Sequence, residues 1–213
     1  MLRIGLIFLL LIHVFCQSSR AREINRRDLV QRHLPTLQAL DPLSPFTVGN
    51  GDFAFTADVT GLQTLAPEYE QGIPLLTQSN WGWHTIPNTS GFVPQQTWQY
   101  VDTYGRPVPY AADMDSDAAR YLRANPHRLH LGQMGFTRLD AEILPSDISD
   151  IHQTLDIWNG ILQSSFSLGG QRMSVETCVH PEFDQVAVHI QSPTLSAASL
   201  GIQFDFPYAA AEW

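Results

Sequence analysis

The sequence predicts a mainly β protein: a large antiparallel β-sandwich with short helices and long loops. Three observations carry that expectation. Residues 161–168 and 173–179 alternate apolar and polar side chains around Gly169-Gly170, a pair that accepts positive φ at both positions of a tight hairpin turn. Further period-two runs occur at 53–59, 184–190 and 200–206. Convincing helical periodicity is confined to two short segments.

Taken in order, residues 23–33 (EINRRDLVQRH) carry Ile24, Leu29 and Val30 among charges, a short helix at best, stopped near Pro35. Gly49-Asn50-Gly51 leads into a strand with Phe53, Phe55, Ala57 and Val59 on one face. Asp52, Thr56 and Asp58 fall on the other, which is read as the solvent side. Residues 66–110 are rich in Pro, Gly, Asn and Gln and are expected to be irregular. Residues 115–124 read as a helix capped by Asp115 or Ser116 and ended by Asn125-Pro126. One or two strands follow from 127. Then come Ile161–Leu168, the return strand with Met173, Val175, Thr177 and Val179, a third with Val186, Val188 and Ile190, and a fourth with Leu200, Ile202, Phe204 and Phe206. Short links between these four predict an antiparallel meander.

Composition narrows the function. Of 213 residues, 44% are hydrophobic, enough for a sizeable core, and only 15% are charged. The formal charge of −9 argues against a nucleic-acid partner. All cationic residues besides histidine are arginine, so Lys Schiff-base and P-loop chemistry are excluded. Residues 1–21 read as a secretory leader: Arg3, an apolar run from Ile4 to Phe15 too short for a comfortable bilayer span, and Ser19 and Ala21 at the cleavage positions. Lipid anchoring at Cys16 is the alternative, against which Phe15 stands where a small residue is needed. Cleavage after Ala21 removes Arg3 and Arg20, takes the charge from −9 to −11, and leaves Cys178 alone without a disulfide partner. The expected location is secreted or periplasmic, with residues 22–213 forming the β domain.

Candidate chemistry is sparse. Trp81-Gly82-Trp83-His84 offers two flat apolar faces for a sugar ring, with His84 and Asn80 as hydrogen-bonding edges. The competing reading is that these indoles plug a seam against another domain. Asn50 either reaches toward a ligand or supplies a turn. His127 and His130, three apart on a strand, point to opposite faces, and His180 is remote, so no metal is expected. Asp113, Asp115 and Asp117 lack the glycine and glutamate of a calcium loop and suit a helix start. No nucleophile elbow, phosphate loop or C-x-x-C occurs, and no cofactor is expected.

The run Gln153-Thr154-Leu155-Asp156-Ile157-Trp158-Asn159-Gly160-Ile161-Leu162, followed by a strand, a Gly turn and VETCVHPEFDQVAVHI, resembles the N-terminal sandwich domain of glycoside hydrolase family 65-like, six-hairpin-type proteins, in an exported bacterial branch. Gly49-Asn50-Gly51 before an aromatic strand is similar to a segment near the start of several such families. The resemblance covers about residues 40–60 and 127–206. It implies a super-sandwich packed on a C-terminal (α/α)6 barrel that carries the catalytic carboxylates and is absent from these residues. It also implies carbohydrate as ligand and no catalytic residue here; the substrate-binding candidates read from the residues are Trp83, His84, Trp81 and Asn50. The rival expectation is a free-standing carbohydrate-binding or adhesion sandwich. A third is a small enzyme using Asp52 or Asp58.

Overall fold

A computed structural model describes residues 24–139, 141–192 and 200–206. The chain divides into two units, residues 1–33 and 34–213. In the first, helix α1 (Arg26–Gln31) starts where the Asn25 side chain accepts the Asp28 N–H, and it stops before Pro35 as the sequence requires.

The second unit is mainly β, as expected. Its largest sheet has the order β1 (Thr36–Leu37), β10 (Ile148–Asp156), β11 (Ile161–Leu168), β12 (Gln171–Val179) and β13 (Val186–Gln191), all antiparallel. Gly169 and Gly170 both take positive φ and close the β11–β12 hairpin with Leu168 opposite Gln171. Leu162, Phe166, Leu168, Met173 and Val175 line its buried face. A three-stranded sheet, β2 (Phe46–Gly49), β3 (Phe53–Ala57) and β4 (Thr77–Ser79), contributes Val48, Phe53, Phe55 and Ala57, which cluster with Leu162. Residues 59–75, including the single-turn helix α2 (Ala66–Tyr69), fill the rest of the core with Val59, Leu62, Leu65, Tyr69 and Leu75. Among the described residues, three two-stranded pieces accompany these sheets: β5 (Trp83–His84) with β8 (His127–Arg128), β6 (Trp98–Thr103) with β7 (Arg106–Ala111), and β9 (Gln133–Arg138) with β14 (Leu200–Asp205). Helix α3 (Asp117–Arg123) is capped by Ser116, whose Oγ accepts the Ala119 N–H. Asp113 supports the same start by accepting the Asp115 and Ser116 N–H groups. Hydrogen bonding to Ser116, first of its causes, holds that carboxyl below the usual range.

Four expectations change. The meander has four strands, but its fourth member is β10, not the strand at 200–206. A link of residues 157–160 joins β10 to β11: Asp156 Oδ1 accepts the Trp158 and Asn159 N–H groups, and Gly160 takes positive φ. So local a closure costs little chain entropy. β14 pairs instead with β9, and of its apolar stripe only Leu200 is buried, with Ile202, Phe204 and Phe206 exposed. Within 66–110, expected to be irregular, the β6–β7 hairpin forms around Tyr104-Gly105, both at positive φ. Asp58 does not face solvent. The chain leaves β3 at Ala57 and turns inward, so the alternation ends one residue early and the carboxyl is fully buried.

That inward turn is held by side chains of the sheets. Asp58 Oδ1 accepts the Thr60 N–H (2.7 Å) and hydroxyl (2.5 Å), and Oδ2 accepts the Leu65 N–H (2.6 Å). Gln153 donates to the Asp58 carbonyl (2.7 Å) and to Ser164 Oγ (2.8 Å), and Thr177 donates to the Gly61 carbonyl (2.7 Å). A Cβ at Gly61 would lie 3.0 Å from Ser164 Oγ, and its φ is +80°, so only glycine fits this crossing. Burial pushes the Asp58 carboxyl up to about 6, against the hydrogen bonds from Thr60 and Leu65 that pull it down. Burial first, and the nearby Asp58 charge second, push the Tyr69 hydroxyl above its ordinary range.

Candidate functional site

The site is built from three segments that converge at one end of the β2–β3–β4 sheet. The first is the turn Gly49–Phe53. A Cβ on Gly49 would lie 2.6 Å from the Phe53 carbonyl, and Gly51 takes a φ of +99°, so the two glycines are needed for different reasons. Asn50 between them uses its whole side chain. Its Oδ1 accepts the Asp52 (3.0 Å) and Phe53 (2.8 Å) N–H groups. Its Nδ2 donates to the carbonyls of His180 (3.0 Å) and Phe183 (3.2 Å). Asn50 therefore shapes the turn and ties the 180–183 loop to it, leaving no polar atom to spare for a ligand.

The second segment is the turn Ser79–Trp83. The Gly82 N–H bonds the Ser79 carbonyl at 3.1 Å, and a Cβ at Gly82 would meet Leu131 at 2.8 Å, so the turn lies tight against the residues after β8. Arg128 on β8 donates to the carbonyls of Ser79 (3.1 Å) and Asn80 (2.6 Å). The Asn80 amide donates to Asp52 Oδ1, and the Asn80 N–H to the Asp52 carbonyl at 2.9 Å.

The third segment, 180–185, supplies a residue the sequence reading missed. Asp184 Oδ2 accepts the Ser79 hydroxyl (2.5 Å) and the Trp81 indole N–H (2.7 Å). The His180 carboxyl-side loop is itself braced: the Glu182 N–H bonds His180 Nδ1, and the His180 and Phe183 rings lie 4.6 Å apart. No spacing rule marks Asp184, because its partners are more than 100 positions away.

The result is an aromatic platform. Trp81 is 68% exposed, and its indole N–H is held at one edge by Asp184. Trp83 is 51% exposed. Neither plugs a seam among the described residues. A cleft of about 270 Å³ opens between the Gly49–Phe53 turn and the Ser79–Asn80 segment, lined in part by Asp52, Gln78, Ser79, Asn80 and Arg128. His84 does not share that surface. Neighbours on a strand alternate, and its ring turns inward to meet His127 edge-on at 5.3 Å, with Nδ1 buried. His130 is engaged elsewhere, its Nδ1 accepting the Thr77 N–H at 3.1 Å, and burial holds its pKa below the usual value. Among the described residues, no group of three or more His, Cys, Asp or Glu is placed to hold a metal ion.

Of the four residues picked from sequence, Trp81 and Trp83 reach the surface, Asn50 supports it from beneath, and His84 lies behind it. Asp52, Asn80, Arg128 and Asp184 complete it. The arrangement gives flat apolar area, two carboxylates and a guanidinium at the rim, and a hydrogen-bonded turn between them.

No family model, no curated protein and no solved structure matches this chain. No helix among the described residues is long and apolar enough to cross a membrane.

Proposed function

We propose that this chain is the N-terminal, non-catalytic β-sandwich domain of an exported glycoside hydrolase-like protein, and that its Trp81 platform binds carbohydrate. The observation that carries the reading is the pinned, outward-facing indole of Trp81 beside the Asp52–Asn80 pair. A pyranose ring has an apolar C–H face and a belt of hydroxyls. The indole takes the face, and the Asp52 carboxylate and Asn80 amide take hydroxyls. Trp83 extends the apolar area. Asp58, whose pKa is raised by burial, is sealed in the core with both oxygens occupied, so it supports the fold rather than a reaction. Carbohydrate is the expected partner, and the barrel implied by the family resemblance would supply catalysis.

Titration with neutral oligosaccharides, followed by tryptophan fluorescence, tests this. Wild-type protein should saturate with at least one of them, and Trp81→Ala should lose about five- to thirtyfold in affinity, the 1–2 kcal/mol of one stacked ring. A panel of gluco-, galacto- and manno-configured oligomers that leaves the fluorescence unchanged would remove the carbohydrate assignment.

A further inference from the structure

The β6–β7 hairpin stands apart from the core. Trp98, Tyr100, Val101, Tyr104 and Tyr110 are all exposed, Tyr100 by 66% and Tyr104 completely. A lone two-stranded hairpin is marginally stable in water. Its two outer edges are not alike.

Proline has no N–H and cannot sit where strands exchange hydrogen bonds. Pro109 lies opposite Tyr100, and Pro107 opposite Asp102, so those pairs are the non-bonded ones. The pairs between them, Gln99 with Tyr110, Val101 with Val108 and Thr103 with Arg106, hold the hairpin together. It follows that Tyr100 and Asp102 aim their N–H and C=O groups at the outer edge of β6, while β7 turns two prolines outward. The β7 edge is closed to strand addition. Among the described residues, no other strand pairs with β6.

We propose that the open edge of β6 is a self-association edge: two copies of this chain pair β6 with β6, antiparallel, about a twofold axis at Tyr100. The order β7–β6–β6–β7 is a four-stranded sheet whose two new edges both carry prolines, so assembly stops at the dimer. Tyr100 exchanges both its backbone bonds with Tyr100 of the second copy. The register sets Trp98 opposite Asp102 rather than acid opposite acid. The two Asp102 carboxylates are then about 13 Å apart along the strands, beyond the ~8 Å screening length at physiological salt. Each copy is otherwise acidic overall, at −9, so an edge with one acid, placed off the axis, is suited to meet itself. On one face the ring of Tyr100 comes to lie between Pro109 of its own hairpin and Tyr100 of the other copy, covering surface that one chain leaves in water.

Sedimentation velocity on the purified protein, from about 1 to 200 µM, reads the monomer–dimer equilibrium directly. The wild type should pass from monomer to dimer in that range and form nothing larger. Tyr100→Pro removes the outward donor at a position facing Pro109, where the hairpin itself makes no exchange. It should weaken dimerisation at least tenfold with an unchanged far-ultraviolet spectrum. Tyr100→Lys keeps every backbone donor but places like charges opposite each other at the axis, and it should weaken the dimer in a salt-dependent way. Its result decides if the proline variant fails to fold. A wild type that stays monomeric throughout overturns the proposal, including the case where the edge instead receives an extended peptide of another protein. So does a dimer that survives the lysine substitution unchanged.

Discussion

The segments Asp58–Leu65 and Ser79–Trp83 are both short, polar connections leaving the same sheet, and they use their polar groups in opposite ways. In the first, the anchoring residues are buried: Asp58, Thr60, Gln153, Ser164 and Thr177 bond one another and the backbone while Val59, Leu62 and Leu65 enter the core. In the second, the anchoring side chains are themselves exposed at the rim, and the large apolar groups face solvent beside them. Asp184, Asn80 and Arg128 hold the turn, and Trp81 and Trp83 face solvent. Burying indoles would remove more apolar area from water than leaving them out, so fold stability alone gives no reason for the second arrangement. The proposed recognition surface would.

The sharpest way to break this contrast is at Asp58. Asp58→Ala strands the Thr60 and Leu65 N–H groups in the core, at about 1–3 kcal/mol each, partly offset by removing an ionised carboxyl from a dry site. A net loss of roughly 3 kcal/mol in urea unfolding is expected, with ligand binding by the folded protein unaltered. If that variant is as stable as wild type, the buried network is not what holds the segment.

The same residue sets a pH dependence. Its folded-state pKa of about 6 lies above the ordinary aspartate value of 3.8. The folded state therefore holds the proton more tightly. The stabilisation from protonating Asp58 is complete below about 4 and is lost as pH rises through about 6. Wild type should gain up to about 3 kcal/mol relative to Asp58→Asn between pH 7 and pH 4. Parallel unfolding curves for the two proteins across that window would show that Asp58 is not strained by burial.

Asn50→Ala sharpens the comparison from the other side. It removes two hydrogen bonds accepted within the Gly49–Phe53 turn and two donated to the 180–183 loop. A loss of about 2 kcal/mol in stability is expected, with a modest fall in affinity because Asp184 is displaced. Thermal midpoint and fluorescence titration on one preparation separate the two effects. Trp83→Ala should change stability least, by under about 1 kcal/mol, since half of that ring is already in water. A drop of about 3–5 kcal/mol, the cost of opening a cavity, would restore the seam reading.

The sequence was most readable where local rules act alone. Gly169-Gly170 and the alternation of Leu162, Ser164, Phe166 and Leu168 define β11 and β12 without reference to distant residues. The β6–β7 hairpin was hidden because Pro107 and Pro109 argue against a strand unless the strand is known to be an edge. Asp58 was misread because alternation predicts a face only while the strand continues, and this one ends at Ala57. At the site, exposed aromatics in a polar loop were legible as Trp81 and Trp83. Asp184 was not, because its role depends on a contact across 103 positions. Asn50 was legible as a turn residue, but its hold on the 180–183 loop was not.

The claim that Trp81 is a preorganised carbohydrate platform is tested most directly by calorimetric titration of the best-binding oligosaccharide into wild type, Trp81→Ala and Asp184→Asn. Both variants should fold with midpoints near wild type. Trp81→Ala should weaken binding about five- to thirtyfold by losing the stacking face. Asp184→Asn, which keeps the ring but exchanges one carboxylate oxygen for an amide, should weaken it less and with a more unfavourable entropy, as a freed indole must be ordered on binding. Affinity and entropy unchanged in both variants would contradict the account.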